Sequence, residues 1–494
     1  MRKFTAVILC LAMTACLAAC GAASEAPAEK NVINVSTTDE FLAAIAPGAS
    51  IKLAEGAYDL TRAKGFGGRN VSEYYCWTDL GDNGQYALQI EDVDDLSISG
   101  EGAVILTPNR WATVLTFRHC DNLSLDGLSI GHIVPAGACE GGVISLNNCD
   151  DTSVTGCDLY GCGTVGMEAY DCYNLTVTGT DIHHCSSSAF SLSSGKNMII
   201  SNCSIHECGS DGEARAWALF NVWNSKGVSI EGCSVTGNSS EYLFGGYCDP
   251  DGLAVSNISV TDNRFNSLFG CDGRVELNGF DFSGNTVNNW FNTCNASEVI
   301  IDGTIDLAEA GSYGADALEE YRSYYDPLPE GKAYVWQKVY DGYELVINGV
   351  QNFHIHGGEI ITQPRYANVL FFSGCGNISV SGTKAGHSPE NGECTGGVIY
   401  LYNCSDAVID SCDLYGCGTY GVLTDSCSVV NLQNTYIHDC SYGAASFSSS
   451  YKVTCINTAI ISCPSPAISI YDCAEFIWDD RYMDETCNFD PAFG

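Results

Sequence analysis

The chain has 494 residues, 28 cysteines, 60 acidic and 21 basic side chains, and a formal net charge of −39. Such an excess of carboxylates excludes nucleic acid as a partner, because phosphate binding needs basic patches. It also excludes a polyanionic ligand unless divalent cations bridge it.

Arg2 and Lys3 precede a short apolar run from Ala6 to Leu17, followed by Leu17-Ala-Ala-Cys20-Gly21. The run is too short to cross a bilayer. It resembles a bacterial lipoprotein signal, which implies lipidation of Cys20. Residues 1–20 are then a signal, 21–31 a small, polar tether, and the protein is exported and held by lipid to the outer face of a membrane. Removing Arg2 and Lys3 leaves 19 basic against 60 acidic residues, or −41. Removing Cys10 and Cys16, and lipidating Cys20, leaves 28 minus 3, or 25, cysteines. An odd number at regular spacing argues for buried thiols acting as small hydrophobes rather than for a disulfide framework. Zinc-finger spacing is absent.

Thr37-Thr-Asp-Glu40 is a capping box opening a short helix over Phe41–Ile45, which Pro47-Gly48 stops. Beyond it, Cys157-Asp-Leu-Tyr-Gly-Cys-Gly-Thr164 recurs unchanged as Cys412–Thr419, an offset of 412 minus 157, or 255. Gly131-His132 likewise matches Gly386-His387, and Cys139-x-Gly-Gly-Val-Ile144 matches Cys394–Ile399. The chain is an internal duplication, divided as 32–298 and 299–494. Within each copy a finer period appears, 23 residues from Cys149 to Cys172 (172 minus 149). One period carries three short alternating runs, Ser153–Thr155, Asp158–Tyr160 and Gly166–Ala169, which are strands. Three strands per coil predict a parallel solenoid whose coils stack at about 4.8 Å.

These repeats resemble the right-handed parallel β-helix of the pectate-lyase-like superfamily over about residues 32 to 480. The expected fold is all-β, a β-helix solenoid with an internal duplication and an N-terminal capping helix. The resemblance implies a carbohydrate ligand but transfers no catalytic residue. Gly131-His132 is followed by Ile133 where polygalacturonase-type members have glycine, Asp150-Asp151 comes in the wrong order, and Arg-Ile-Lys is missing.

The cysteines fall into inward columns: Cys157, Cys203 and Cys233 in one, continued by Asn263 and Asn285; Cys162, Cys185 and Cys208 in a second; Cys149 and Cys172 in a third. Segments 63–85, 131–141, 209–217, 239–252, 308–342 and 386–396 read as insertions. Tyr334-Val-Trp336 echoes Tyr75-Cys-Trp77.

Candidate chemistry sits on the outward positions of successive coils. Asp158 stands over Asp181, and Tyr160 over His183 over His206, with His184 and Glu207 one position on. Carboxylates on adjacent coils lie about 5 Å apart, which suits a retaining glycosidase pair or one calcium ion between coils. Asp158, Asp181, His183 and His206 are therefore the catalytic candidates. Tyr160, Glu207, Arg110 and His132 are candidate substrate contacts. The second copy keeps Asp413, Tyr415 and His438, but has Tyr436 for Asp181 and Ile461 for His206. The leading expectation is a monomeric surface lipoprotein that binds or cleaves polysaccharide. The alternatives are a non-catalytic adhesion or display solenoid, and a metal-handling surface β-helix suggested by the Cys and His content.

Overall fold

The structure is a computed structural model. It describes residues 32–494 except 69–70, 82–83, 134–139, 162, 210–215, 249–251, 273, 280, 284, 290–297, 308–316, 323–325, 330–333, 389–394, 417, 465, 480–481, 485–486 and 488–494. Cys20, the tether, Cys139, Cys162, Cys394 and most of the 209–217 insertion lie outside the described residues. Among those described, no helix is long and apolar enough to cross a membrane.

One coil shows how the chain folds. Strands Ser153–Thr155, Asp158–Tyr160 and Val165–Tyr170 form three consecutive faces. Each pairs in parallel with its counterpart 23 residues on. The middle residue of each second-face strand points inward. Ile105, Ile130, Leu159, Ile182, Ile205, Val235 and Val260 thereby form one buried column. On the third face Phe190, Phe220 and Phe244 stack at 5.6 and 5.5 Å. Stacked like residues fill a tube of constant bore without voids, which is how the solenoid buries a core along its whole length.

The helix Thr38–Ala44 closes the first coil. Thr37 Oγ1 accepts from Glu40 N at 3.2 Å, and the Glu40 carboxylate accepts from Ser36 N at 2.8 Å. Phe41 packs edge-on against Tyr58. The two copies form one continuous stack. Strand Glu298–Asp306 pairs with Arg274–Asn278 on one side and Gln351–Thr362 on the other. Each copy contains an antiparallel hairpin, Tyr75–Asp79 with Tyr86–Glu91 and Tyr334–Val339 with Gly342–Asn348. These are the segments whose Tyr-x-Trp sequences echo one another.

Two sequence expectations need correction. Most of 239–252 is no insertion, because Ser239–Cys248 is a third-face strand paired with neighbours on both sides. The asparagines continue the second cysteine column, not the first. Cys208 N donates to Asn238 Oδ1, Asn238 N to Asn263 Oδ1, and Asn263 N to Asn285 Oδ1, each at 2.9 Å. Within the first copy, position two after the second-face strand is thus cysteine in early coils and asparagine in late ones, and the second copy returns to cysteine at Cys440 and Cys463. The first column runs Cys157, Thr180, Cys203, Cys233, as the backbone bonds between coils show.

Every cysteine whose side chain is described is a free thiol. Burial pushes the Cys157 and Cys172 thiols up to about 11. Many acidic residues also have a structural role. Asp94, Asp121 and Asp150 each accept the backbone N–H of the residue stacked above, at 3.0, 2.9 and 2.9 Å.

The asparagine column makes a measurable contribution. Asn263→Ala removes the acceptor of Asn238 N and the side-chain donor to Val235 O and Thr261 O in a closed interior. The expected loss is about 2–4 kcal/mol in denaturant unfolding. A loss below 1 kcal/mol would mean water replaces the side chain there.

Candidate functional site

The second face carries a file of polar rings. Registers Asp158↔Asp181↔Ser204 and Tyr160↔His183↔His206 set the two predicted columns side by side. Tyr160 stacks on His183 at 5.8 Å, and His183 on His206 at 4.9 Å with planes 7° apart. Each imidazole reaches back one coil to a carboxylate: His183 Nε2 lies 2.9 Å from Asp158 Oδ1, and His206 Nε2 lies 3.1 Å from Asp181 Oδ1. The second contact is off the hydrogen-bonding direction, so Asp181 Oδ1 is buried without a hydrogen bond. Asp158 Oδ2 accepts from Ser129 Oγ at 2.8 Å. In the adjoining turn, His183 Nδ1 meets His184 Nδ1 at 2.6 Å, and Glu207 Oε2 lies 3.2 Å from His184 Nε2 and 3.3 Å from His206 Nδ1.

Six of the eight predicted site residues therefore belong to this file. His132 and Arg110 do not. His132 is 3% exposed, and its Nε2 lies 2.9 Å from Ala112 O. Burial holds its imidazole below the usual range, so the neutral ring donates Nε2–H to that carbonyl. Gly131 faces the Tyr160 ring so closely that a Cβ would fall 2.7 Å from its carbons. His387 and Gly386 repeat both contacts. The Gly-His dipeptide retained in both copies makes room for a tyrosine and ties down a loop. Arg110 contributes its backbone carbonyl to Glu140 N and Gly141 N, as Arg365 does to Thr395 N and Gly396 N. As a substrate contact, His132 is corrected by its burial, and the part the structure gives Arg110 is a main-chain carbonyl that ties the loop.

The second copy repeats one pair only. His438 Nε2 lies 3.0 Å from Asp413 Oδ1, under a stacked Tyr415. Tyr436 stands where the second carboxylate would be.

A second place lies away from the file. On the third face of the second copy, Val335, Val346, Phe371 and Tyr400 point outward and are covered by Leu318 and Leu328. Ala317–Leu318 is held there by pairing with Trp336–Gln337. Beneath this roof Glu344 is 1% exposed. Its Oε2 accepts from Asn368 N and Nδ2 at 2.9 and 2.8 Å, and its Oε1 from Gln337 Nε2 at 3.4 Å. Burial pushes the Glu344 carboxyl up to about 7, while the Asn368 donors pull it down. A cavity of about 210 Å³ opens over it, lined also by Tyr321, Arg322, Tyr340 and Tyr366. Tyr340 and Tyr366 stand exposed at its rim, 5.0 Å apart. Arg322 Nε is buried in the roof without a partner. The sequence offers one signal for this site: a glutamate inside an otherwise apolar strand, Tyr343-Glu-Leu-Val-Ile347.

The family model for the right-handed β-helix region matches residues 142–306 and 339–478. That is more than half of the chain, which belongs to this family. No curated protein sequence matches it. Among solved structures, it is similar to the A-module of the mannuronan C-5 epimerase AlgE6 of Azotobacter vinelandii, at 10% identity over 89% of this chain and 91% of that one, with a TM-score of 0.28. An alginate lyase from Paenibacillus sp. str. FPU-7 aligns at 14% identity over 52% and 97%, with a TM-score of 0.30. The Dettilon tailspike protein aligns at 12% identity over 76% and 62%, with a TM-score of 0.35. Similarity this remote carries no argument about function.

Glu344 gives a pH test of its burial. The folded protein holds the Glu344 proton up to about pH 7, whereas an ordinary glutamate loses it near 4.5. Between those values the folded state binds the extra proton, so its stability falls as pH rises. Glu344→Gln carries no such proton. From pH 4.5 to 7.5 wild type should lose about 3 kcal/mol relative to this variant in denaturant melts. Parallel pH profiles would show that the carboxyl is solvated.

Proposed function

We propose that the protein is an exported, lipid-anchored β-helix that binds polysaccharide, with the roofed pocket over Glu344 receiving one sugar unit of the chain. The observation that carries this reading is the pairing of exposed tyrosines with a buried carboxyl and amide in one cavity. Sugar rings present apolar C–H faces that pack on aromatic rings, and hydroxyls that need convergent polar partners. Tyr340 and Tyr366 supply the first, and Glu344 and Gln337 the second. The cavity, about 210 Å³, is below the roughly 300–1,000 Å³ of drug-sized sites, which matches a single ring. The signal-like sequence ending at Cys20 supports the placement outside the cell.

A panel of neutral and acidic polysaccharides, each with and without calcium, tests the reading by affinity electrophoresis with the full chain. At least one should retard wild type. The double variant Tyr340→Ala/Tyr366→Ala should bind it at least tenfold more weakly while melting like wild type. If nothing in the panel is bound, or the double variant binds equally well, the reading fails.

The file supports a second reading, cleavage. Asp158 and Asp181 stand opposite one another on adjacent coils, at a strand spacing of about 4.8 Å, close to the about 5–5.5 Å between the carboxyls of a retaining glycosidase. Wild type should then release reducing ends from a bound polysaccharide. Asp158→Asn and Asp181→Asn should each abolish release with binding retained. A wild-type protein that cuts nothing it binds removes this reading and leaves binding as the function.

A further inference from the structure

We infer that Asp158, Asp181 and His183 hold one divalent transition-metal ion, of which zinc is the representative, between two adjacent coils. The site is separate from the pocket over Glu344, and the inference does not depend on sugar binding there. It is the alternative to the cleavage reading, because carboxylates that hold a metal do not serve as a glycosidase's nucleophile and acid.

The donor set comes first. Asp158 Oδ1 and His183 Nε2 are 2.9 Å apart, and one oxygen of Asp181 completes a group within 4.8 Å. Two tetrahedral ligands at 2.0–2.1 Å from zinc are about 3.3 Å apart, so an ion fits here with small side-chain adjustments. The Asp181 side chain is half-buried, and its Oδ1 lies 3.1 Å from His206 Nε2 without hydrogen-bond geometry, so a cation can take this oxygen without breaking a hydrogen bond.

The outer contacts suit a metal-bound histidine. A ligating imidazole normally donates its other N–H to an acceptor that fixes the tautomer. His183 Nδ1 lies 2.6 Å from His184 Nδ1, and His184 Nε2 lies 3.2 Å from Glu207 Oε2. With His183 Nδ1–H donating to His184, and His184 Nε2–H to Glu207, His183 Nε2 is left unprotonated and aimed at Asp158. The ion would sit between that nitrogen and the carboxylate, both of which bind a metal only in their unprotonated forms. Ser129 Oγ holds the far oxygen of Asp158 at 2.8 Å.

The choice of metal follows from the donors. Calcium takes six to eight oxygens, and this group offers a nitrogen and two carboxylates. Imidazole with carboxylate suits zinc and its transition-series neighbours. Three protein ligands leave a coordination position open to water, as in catalytic rather than structural zinc sites. In the second copy Tyr436 replaces the second carboxylate. Among the described residues no such three-ligand group is found there.

Zinc alone, added to untagged, chelator-stripped full chain without any sugar, tests the inference by equilibrium dialysis. Wild type should bind one equivalent at micromolar free zinc or below, with affinity falling as pH drops. Asp181→Asn and His183→Gln should each weaken binding at least tenfold and melt like wild type. Asp413→Asn, in the second copy, should leave it unchanged. Cobalt in place of zinc should give a visible spectrum without the strong near-ultraviolet band of thiolate ligation. The inference is overturned if wild type binds no stoichiometric zinc, if binding survives in both first-copy variants, or if the cobalt complex shows thiolate. Because no polysaccharide is present, failure here leaves the sugar-binding reading untouched, and failure of sugar binding leaves this one standing.

Discussion

The parallel register between coils is the constraint on which the rest of the molecule depends. Each second-face strand pairs residue for residue with the next, from Ala103–Thr107 through Asp281–Ser283. Side chains at one position therefore recur at the strand spacing of about 4.8 Å. Inward, that spacing demands residues which stack without gaps, and it selects cysteine, asparagine and branched aliphatics. Outward, it brings like groups closer than a solvated surface normally would. The file of Tyr160, His183 and His206 follows from this rule, as does the crowding of Asp158 and Asp181.

The same register explains how one chain carries so many carboxylates. Asp94, Asp121 and Asp150 are near neighbours in a column, yet each has one oxygen fixed by a backbone N–H of the following coil. These contacts satisfy donors that a turn would otherwise expose and spread the negative charge over hydrogen bonds. Asp158 and Asp181 differ from them. Their partners are imidazoles, His183 for Asp158 and His206 for Asp181, and an imidazole can also ligate a metal ion.

What could be read from the sequence follows the period closely. The period placed Asp158 over Asp181 and Tyr160 over His183 because counting in steps of 23 is enough once the strands are found. It failed where position within a coil had to be judged without a strand. Asn263 and Asn285 were set in the wrong column because the turn lengths on either side of the second-face strand differ by little. Ser239–Cys248 looked like an insertion because its Gly245-Gly246 and polar ends hide a strand. Glu344 was invisible for a different reason. It lies on an antiparallel hairpin where the second copy's third face begins, and its burial depends on Leu318 and Leu328, which no periodicity places over that face.

The duplication has separated two kinds of site. The hairpin that opens the repeats in each copy pairs Thr78 with Ala87 in the first and Gln337 with Glu344 in the second. The carboxyl pocket thus has no counterpart at the start of the chain. Conversely, the double Asp–His arrangement exists only in the first copy, since Tyr436 and Ile461 replace its second half. Both copies keep what the coil needs: Gly131 and Gly386 under the tyrosine ring, His132 and His387 tying the loop, and the cysteines inside. One copy kept the scaffold and elaborated the second face with imidazoles; the other kept the same scaffold and roofed the third. In this solenoid a site is gained by changing outward residues on two adjacent coils, because the backbone already places them within reach of one another.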